Sequence, residues 1–274
     1  MRLAEKTVVV TGAGRGIGRA CAVSCAEQGA DLVLFDIGSD LSGVPYPLAT
    51  VEQLEETAAL CRERGACPLT ILGDIRDQKR ASTLARDALE RFGRIDVLIN
   101  NAGIAAPSGK AVHEIEEDEW TVMLDVNLSG TWQMIKAVGP GMVSRRRGSI
   151  VNISSTAGLV GYRHFAAYVT AKHGVIGLTK AAALDYAPLK VRVNAVCPGS
   201  VRDDPGVDGR MLSEIARSLR VPVDEHEETF VQAQPTNELV DAWDVAAAAL
   251  WLASDDARQV TGTVLTVDGG FTAR

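Results

Sequence analysis

Short apolar runs alternate with longer segments of helical periodicity along this chain, and this alternation constrains the fold more than any other feature. The predicted strands are residues 7–10, 32–35, 69–72, 97–99, 149–153, 191–196 and 264–267. The predicted helices are residues 18–28, 51–64, 79–91, 120–143, 165–187 and 242–253, with a short helix at 209–219. Because the strands are apolar throughout, they suit a sheet that helices cover on both faces. The order predicts an α/β fold with a doubly wound, parallel, seven-stranded sheet.

Length and charge limit the classes of protein to which the chain can belong. At 274 residues it has the size of a large α/β domain and no linker divides it, so we expect one domain over residues 1–274. The net charge of −7, with acidic and basic residues interspersed, gives no reason to expect nucleic acid as a partner. Residues 1–6 lead directly into the first predicted strand and no long apolar run follows, so we expect neither a signal peptide nor a membrane segment.

The five cysteines are odd in number and show no Cys-x-x-Cys spacing. They are Cys21, Cys25, Cys61, Cys67 and Cys197. This pattern predicts neither a disulfide framework nor a zinc site, and we expect no metal. We interpret them as small apolar residues of a protein in the reducing cytoplasm.

A glycine-rich turn, TGAGRGIG at residues 11–18, follows the first predicted strand and opens a helix. Because Gly12, Gly16 and Gly18 lack Cβ atoms, the backbone can approach a phosphate group, and the helix N-terminus adds N–H groups and a positive dipole end. Arg15 and Ile17 stand between these glycines. The turn predicts a site for the pyrophosphate of a dinucleotide.

Asp36 closes the second predicted strand eighteen residues after Gly18, near the distance at which an acidic residue binds the adenosine ribose of a dinucleotide. A 2′-hydroxyl can donate to this carboxylate, whereas a 2′-phosphate would be repelled by it. We therefore favour NAD over NADP as the cofactor. Arg15 and Arg19 are the counterargument, because either could reach a phosphate; the alternative is that both lie on a solvated helix face.

Tyr168 and Lys172 are four residues apart on a predicted helix and so share one face of it, and Ser155 stands thirteen residues before the tyrosine. A free tyrosine titrates near pH ~10, and a nearby ammonium group favours the phenolate. We therefore expect a lowered pKa for Tyr168, which would make it a proton-transfer group near neutral pH. A lone pair with this spacing is more often a surface contact, so the interpretation depends on the other motifs.

The motifs together resemble the short-chain dehydrogenase/reductase family over nearly the whole chain. In chain order they are TGAGRGIG at 11–18, NNAG at 100–103, Asn127, Ser155, Tyr168 with Lys172, and Pro198 with Gly199. The resemblance implies a Rossmann fold and hydride transfer between a nicotinamide cofactor and a small-molecule alcohol or ketone. It implies that Tyr168 exchanges a proton with the substrate oxygen and that Ser155 fixes this oxygen. Lys172 would hold the nicotinamide ribose, and Asn127 would link Lys172 to a chain of waters.

The same resemblance assigns further cofactor contacts. They are Asp74 and Ile75 at the adenine, Asn101, Ala102 and Gly103 along the cofactor, and Pro198, Gly199 and Val201 beside the nicotinamide. Where this family usually has a threonine, the chain has Asp203, so the backbone of Val201 is the better candidate for the carboxamide contact. The Asn101 segment has an alternative role, which is to brace the central sheet. Apart from the Tyr168 pair, all the motifs are expected at or just after strand ends.

Two segments are longer than ordinary connections, and long loops in a compact domain are usually functional. Residues 200–240 are expected to form a lid over the substrate. Residues 37–50 form an insert similar to that of an actinobacterial branch of the family, which includes carveol-dehydrogenase-like enzymes and enzymes associated with the redox carrier mycofactocin. In that branch the insert is thought to cover the adenosine half of a tightly held NAD. This chain departs from the branch at residues 16–18 and 198–200.

The expected activity is an NAD-dependent oxidation or reduction of an apolar secondary alcohol or ketone, which the branch suggests is cyclic, terpenoid or polyketide-like. Trp120, Trp132 and Phe165 are candidates to line an apolar pocket, with core or interface positions as the alternative. Two other functions are weighed: an NADPH-dependent ketoreductase similar to 3-oxoacyl reductases, and an NAD-binding sensor without turnover, against which the intact Ser155 and Tyr168 argue. The family also implies a homotetramer built on the helices at 120–143 and 165–187.

Overall fold

The structure is a computed structural model that describes residues 1–204, 211–222 and 226–273. Its seven strands form one sheet in the order β3-β2-β1-β4-β5-β6-β7, and every neighbouring pair is parallel. The strands are β1 Thr7–Thr11, β2 Asp31–Asp36, β3 Leu69–Leu72, β4 Val97–Asn100, β5 Gly148–Ile153, β6 Val191–Pro198 and β7 Val264–Val267. The predicted doubly wound parallel sheet is confirmed, and each predicted strand is present within two residues of its expected ends.

The helices lie between the strands, as the alternation predicts. They are α1 Gly16–Glu27, α2 Val51–Glu63, α3 Gln78–Phe92, α4 Glu117–Leu124, α5 Gly130–Arg145, α6 Ala166–Tyr186, α7 Met211–Ser218, α8 His226–Ala233 and α9 Ala242–Ala253. Residues 209 and 210 of the predicted short helix lie outside the described residues, and α7 covers most of the remainder. Helix α8 was not predicted. Within the described ranges, no helix combines the length and apolar character needed to cross a bilayer.

The long helix predicted at residues 120–143 is interrupted. A π-helical turn, Asp125–Ser129, separates α4 from α5, and Asn127 lies within it. Such turns insert one extra residue into the helical path and often occur at functional sites. The expectation that Asn127 follows a strand end is therefore wrong, because it is presented by this turn.

The sheet is buried on both faces, which explains the uniformly apolar strands. All five residues of β1 are buried. Val8 and Val10 pack in the apolar cluster that includes α1 and α9, whereas Val9 packs in the cluster that includes α3 and α5. Successive side chains of a strand point to opposite faces, so both faces need apolar residues.

Strand order reverses between β1 and β4, because the chain runs outward to β3 on one side and to β7 on the other. Val10 pairs with Ile99, so the chain leaves both strands at the same edge of the sheet. In such sheets the crevice at the carboxyl ends beside this reversal receives the ligand. The glycine-rich turn after β1 and the segment at 101–103 after β4 both lie at this crevice.

Candidate active site

The glycine-rich turn fits closely against the segment that follows β4. Gly12 has a φ of +64°, and a Cβ there would lie 2.8 Å from the Cα of Ala102. A Cβ on Gly18 would lie 1.9 Å from the carbonyl oxygen of Gly12. Gly16 has a φ of +55°, and a Cβ there would meet nothing within 4 Å. Gly12 and Gly18 therefore allow the turn to pack, while Gly16 leaves open space beside the start of α1.

Asn101 braces this turn by side-chain hydrogen bonds. Its Nδ2 donates to the carbonyl oxygens of Thr11 at 3.1 Å and Gly12 at 3.0 Å. The Thr11 hydroxyl oxygen accepts from the backbone N–H groups of Asn101 and Ala102 at 3.0 and 3.1 Å. The bracing role considered for Asn101 is thus present in the structure.

Asp36 presents a buried carboxylate opposite the turn. Its Oδ2 accepts from the Gly14 backbone N–H at 2.8 Å, and its Oδ1 accepts from the Ile37 N–H at 2.8 Å. Burial raises the pKa of Asp36, and the backbone donors of Gly14, Ile37 and Gly38 act in the opposite direction. These donors hold the carboxylate at the end of β2, where the adenosine ribose is expected.

The two arginines of the turn have different surroundings. Arg19 donates to the Gly14 carbonyl oxygen at 2.8 Å and pairs with Glu56 at 2.7 Å, so it joins α1 to α2. Arg15 lines the main cavity, and its Nη2 donates to the Pro47 carbonyl oxygen at 2.7 Å. Burial lowers the pKa of Arg15. Of these two arginines, Arg15 is therefore the one beside the cavity.

A cavity of about 220 Å³ lies between the glycine-rich turn, the ends of β2 to β4, the insert and the loop after β6. The predicted cofactor residues that line it are Gly12, Arg15, Gly16, Ile17, Asp36, Asp74, Ile75, Asn101, Ala102, Gly103 and Val201. The other predicted cofactor residues do not line it; they are Gly18, Tyr168, Lys172, Pro198 and Gly199. Asp74 also holds Arg76, whose Nη2 donates to its Oδ2 at 2.6 Å. The structure thus brings most of the predicted set around one cavity.

The insert closes one side of this cavity with residues that sequence reasoning did not single out. Leu41, Tyr46, Leu48 and Ala49 line the cavity. Tyr46 is buried, and its hydroxyl oxygen accepts from the Ala105 N–H at 3.2 Å. Since Arg15 holds the neighbouring Pro47, the insert is fastened both at the glycine-rich turn and beyond β4. Tyrosine at this position gave no signal, because its partner is a backbone group 59 residues away.

Ser155, Tyr168 and Lys172 come together next to this cavity. Ser155 follows β5 and caps a 3₁₀ turn, accepting from the Ala157 N–H at 3.1 Å. The Ser155 side chain lies close enough to Tyr168 to favour the charged form of its phenol. One turn further along α6, the Lys172 Nζ lies 5.7 Å from the centre of the Tyr168 ring and donates to the Ile153 carbonyl oxygen at 3.1 Å. The spacing in the sequence correctly indicated one group of three side chains.

The expected lowering of the Tyr168 pKa is not what the structure shows. Burial raises the pKa of Tyr168 to about 12, and the nearby Ser155 side chain offsets only part of this. Burial also lowers the pKa of Lys172 to about 8. The spacing of the two residues indicated that they lie close together. It could not indicate that both are removed from water, and this removal disfavours the charged form of each.

Lys172 gives a stability prediction that does not depend on activity. The folded protein releases the Lys172 proton near pH 8, whereas the unfolded chain keeps it until its ordinary pKa of 10.5. Since the unfolded state binds more protons in this window, the free energy of unfolding should rise with pH, by about 2 kcal/mol between pH ~8 and ~10 from this group. Above pH ~10, Tyr168 has the opposite effect on the free energy of unfolding. Because its pKa is raised in the folded protein, the folded state binds more protons there, and the free energy of unfolding falls with pH.

Denaturant unfolding of native protein and Lys172→Met across this pH range measures the effect. The free energy of unfolding of Lys172→Met minus that of native protein should be greatest at neutral pH. It should fall by about 2 kcal/mol between pH ~8 and ~10. Lys180→Met, which removes an exposed lysine from the same helix, is the control. Parallel curves for native protein and Lys172→Met would contradict the prediction.

Asn127 and Gly103 connect the cavity to this group. Asn127 Oδ1 accepts from the Ile104 N–H at 3.1 Å, and its Nδ2 donates to the Ile104 carbonyl oxygen at 3.0 Å. A Cβ on Gly103 would lie 2.7 Å from Asn127 Oδ1 and 3.6 Å from Lys172 Nζ. Gly103 therefore lets both side chains approach the end of the cavity, and Asn127 fixes the backbone beside it.

The predicted aromatic candidates differ in position. Trp120 and Trp132 are 36% and 47% exposed, so they are surface residues of α4 and α5. Phe165 is buried. A pair that was not predicted lies beside the Ser155 turn: the rings of Tyr162 and Phe271 stack with centroids 5.9 Å apart. Its members are distant in the sequence, and no local pattern connects them.

The chain belongs to the short-chain dehydrogenase/reductase family of oxidoreductases. The family model described as "Enoyl-(Acyl carrier protein) reductase" matches residues 12–272. The chain is 37% identical to (-)-trans-carveol dehydrogenase of Rhodococcus erythropolis, over 100% of this chain and 99% of the relative. The suspected similarity to carveol dehydrogenases is confirmed.

Solved structures agree with this relationship. Carveol dehydrogenase from Mycobacterium avium in complex with NAD has a TM-score of 0.92 and 36% identity, over 100% of this chain and 99% of the other. A short-chain dehydrogenase from Mycobacterium paratuberculosis bound to NAD has a TM-score of 0.89 and 33% identity, with 100% of both chains covered.

Proposed function

We propose that this protein transfers a hydride between NAD and a secondary alcohol or ketone, with Tyr168 as the acid and base. The observation that carries the proposal is the grouping of Ser155, Tyr168 and Lys172, which Gly103 connects to the cavity that starts at the glycine-rich turn. Such a group can fix a carbonyl or hydroxyl oxygen and exchange one proton with it.

The residues around the cavity fit NAD. The open space beside Gly16 and the helix N-terminus suit the pyrophosphate, and the Asp36 carboxylate suits the ribose hydroxyls. Asp74 and Ile75 would contact the adenine, and the backbone of Val201 the carboxamide. NAD supplies the hydride acceptor or donor when bound. The NAD complexes of the two similar structures support this choice.

In the proposed reaction, the chain orients the substrate oxygen and moves its proton. Ser155 donates a hydrogen bond to this oxygen, and Tyr168 exchanges the proton with it. Because the pKa of Tyr168 is raised, the phenol is protonated at neutral pH and ready to donate in ketone reduction. Lys172 would hold the nicotinamide ribose, and Asn127 would position the backbone beside it.

The substrate is proposed to be an apolar cyclic alcohol or ketone, as the similarity to (-)-trans-carveol dehydrogenase suggests. Residues 200–240 would cover it as a lid within one domain, and the exposed Trp132 on α5 suits the homotetramer expected of the family. The insert, fastened by Arg15 and Tyr46, would slow the exchange of NAD. Arg15 is the feature that favours the alternative, an NADPH-dependent ketoreductase.

Purified protein tests the proposal. NAD should remain bound after extensive dialysis and be released on acid denaturation, where an enzymatic cycling assay identifies it. Cyclic secondary alcohols, carveol among them, should then reduce the bound cofactor, seen as absorbance of the reduced nicotinamide. The screen is run with and without an added redox dye, because a retained cofactor turns over only if it is reoxidised in place. Protein that neither retains nor binds NAD would contradict the proposal.

A further inference from the structure

Three consecutive residues after β6 each contact a different part of the chain between β6 and α9. They are Val201, Arg202 and Asp203. Val201 forms a parallel bridge with Val240. Arg202 pairs with Glu227 of α8 at 3.3 Å and with Asp241 before α9 at 3.4 Å. These ion pairs are exposed, and exposed pairs contribute little. The contacts of Asp203 are of a different kind.

The Asp203 carboxylate caps the start of α7. Its Oδ1 accepts from the Leu212 N–H at 2.9 Å. Its Oδ2 accepts from the Ser213 N–H at 2.9 Å and from the Ser213 hydroxyl at 2.8 Å. The first N–H groups of a helix have no partner within it, and a negative charge at this end is favourable. Both carboxylate oxygens are thus directed at α7.

Helix α7 extends from the cavity to the loop beyond β4. Met211, at its start, lines the cavity. Leu212 and Ala216 are buried, so one face of the helix is packed against the body of the protein. At its end, the carbonyl oxygen of Ser218 would lie 2.8 Å from a Cβ on Gly109, so this helix and the loop are in close contact. The position of α7 therefore fixes one wall of the region between the cavity and residues 105–109.

We propose that Asp203 is a positioning residue that fixes α7 over the substrate end of the site. The family resemblance assigned this position to a threonine beside the nicotinamide. Here the three donors of α7 occupy the carboxylate, which leaves the carboxamide contact to the backbone of Val201. The part of the inference that concerns substrate rests on the proposed function, whereas the anchoring of α7 does not.

Loss of this cap should affect substrate and cofactor differently. Removing a helix cap costs ~1 kcal/mol, which is about a fivefold to tenfold change in a local equilibrium. We expect Asp203→Ala to raise KM for the alcohol selected in the screen by about this factor, with kcat changed less. Asp203 also lines the cavity, but both of its carboxylate oxygens accept from donors of α7, so the dissociation constant for NAD should stay within about twofold.

The experiment compares full-length native protein, Asp203→Ala, Asp203→Asn and Asp77→Ala. Asp203→Asn keeps the size of the side chain but cannot accept from both N–H groups through two oxygens, so it tests the cap if the alanine variant fails to fold. Asp77 is the matched control, because it caps α3 by accepting from Lys79 N–H at 2.8 Å and Arg80 N–H at 3.3 Å. Hydrogen exchange of peptides that contain Leu212 and Ser213 should be about fivefold to tenfold faster in the Asp203 variants and unchanged in Asp77→Ala.

Each outcome decides one part of the inference. Unchanged exchange together with NAD binding weakened tenfold or more would make Asp203 a cofactor ligand and overturn the proposal. Faster exchange with unchanged KM would overturn the role of α7 at the substrate. If no alcohol is turned over by native protein, the proposed function fails, while the exchange measurement still decides whether Asp203 anchors α7.

Discussion

Replacing Tyr168 by Phe should reduce turnover at least ~10²-fold while NAD binds as in the native protein. The change removes one oxygen atom, and with it the phenolic proton that Tyr168 would exchange with the substrate oxygen. The ring still fills the same half-buried position on α6, so the surrounding packing is kept. Initial rates measure turnover, and the amount of NAD retained after dialysis and released by acid measures NAD binding.

Tyr186→Phe is the matched control, because it makes the same chemical change at the other end of α6. Its turnover should stay within about twofold of native protein, as for a substitution away from the site. Ser155→Ala should reduce turnover as well, and the double variant should lose less than the product of the two effects, since both act on one oxygen. Turnover of Tyr168→Phe close to that of native protein would remove Tyr168 from the mechanism.

The fold could be predicted from the sequence because its physical causes are local. A strand covered on both faces must be apolar throughout, and β1, whose residues are all buried, was predicted to within one residue of its end. The glycine-rich turn could be identified because the close approach of Gly18 to Gly12 admits no Cβ. Helix α9 was predicted with its correct bounds because turn-forming residues flank an alanine-rich apolar run.

What the sequence did not reveal depends on contacts between distant segments or on burial. A π-helical turn has no marker of its own, so Asn127 was placed after a strand. Tyr46 was not singled out because its partner, Ala105, is brought to it only by the fold. The pKa of Tyr168 was assigned the wrong direction because the neighbouring charge could be deduced from spacing, whereas the larger effect, burial, could not.

Asp203 shows both a feature that the sequence reveals and contacts that only the fold reveals. The departure from the family threonine was visible in the sequence, and it moved the expected carboxamide contact to the backbone of Val201. Its partners, the N–H groups of Leu212 and Ser213, lie 9 and 10 residues further along the chain, and the sequence gives no sign that they meet it. A departure from a family pattern can thus locate an unusual residue before its contacts are known.

Replacing Asp36 should change the preference between NAD and NADP more than any other single substitution at the cavity. The carboxylate is held by the N–H groups of Gly14 and Ile37, so it cannot turn away from a ligand at the end of β2. Two unit charges 4 Å apart repel by about 4 kcal/mol near a protein surface, and a phosphate carries a charge of about −1.5 to −2. Asp36→Ser removes this repulsion and leaves space for the phosphate, while Asp36→Asn removes the charge alone.

We expect both Asp36 variants to bind NAD about tenfold more weakly, because a hydrogen bond to a charged acceptor is lost, and to bind NADP more tightly, so that the ratio of the two affinities changes by about 10²- to 10³-fold. Displacement of bound NAD by increasing concentrations of NADP measures the ratio. Asp31→Asn, which removes an exposed carboxylate from the start of the same strand, should leave it unchanged. If Asp36→Ser gains no affinity for NADP while Arg15 remains beside the cavity, the discrimination does not come from charge repulsion at Asp36, and the ribose must bind elsewhere along the wall.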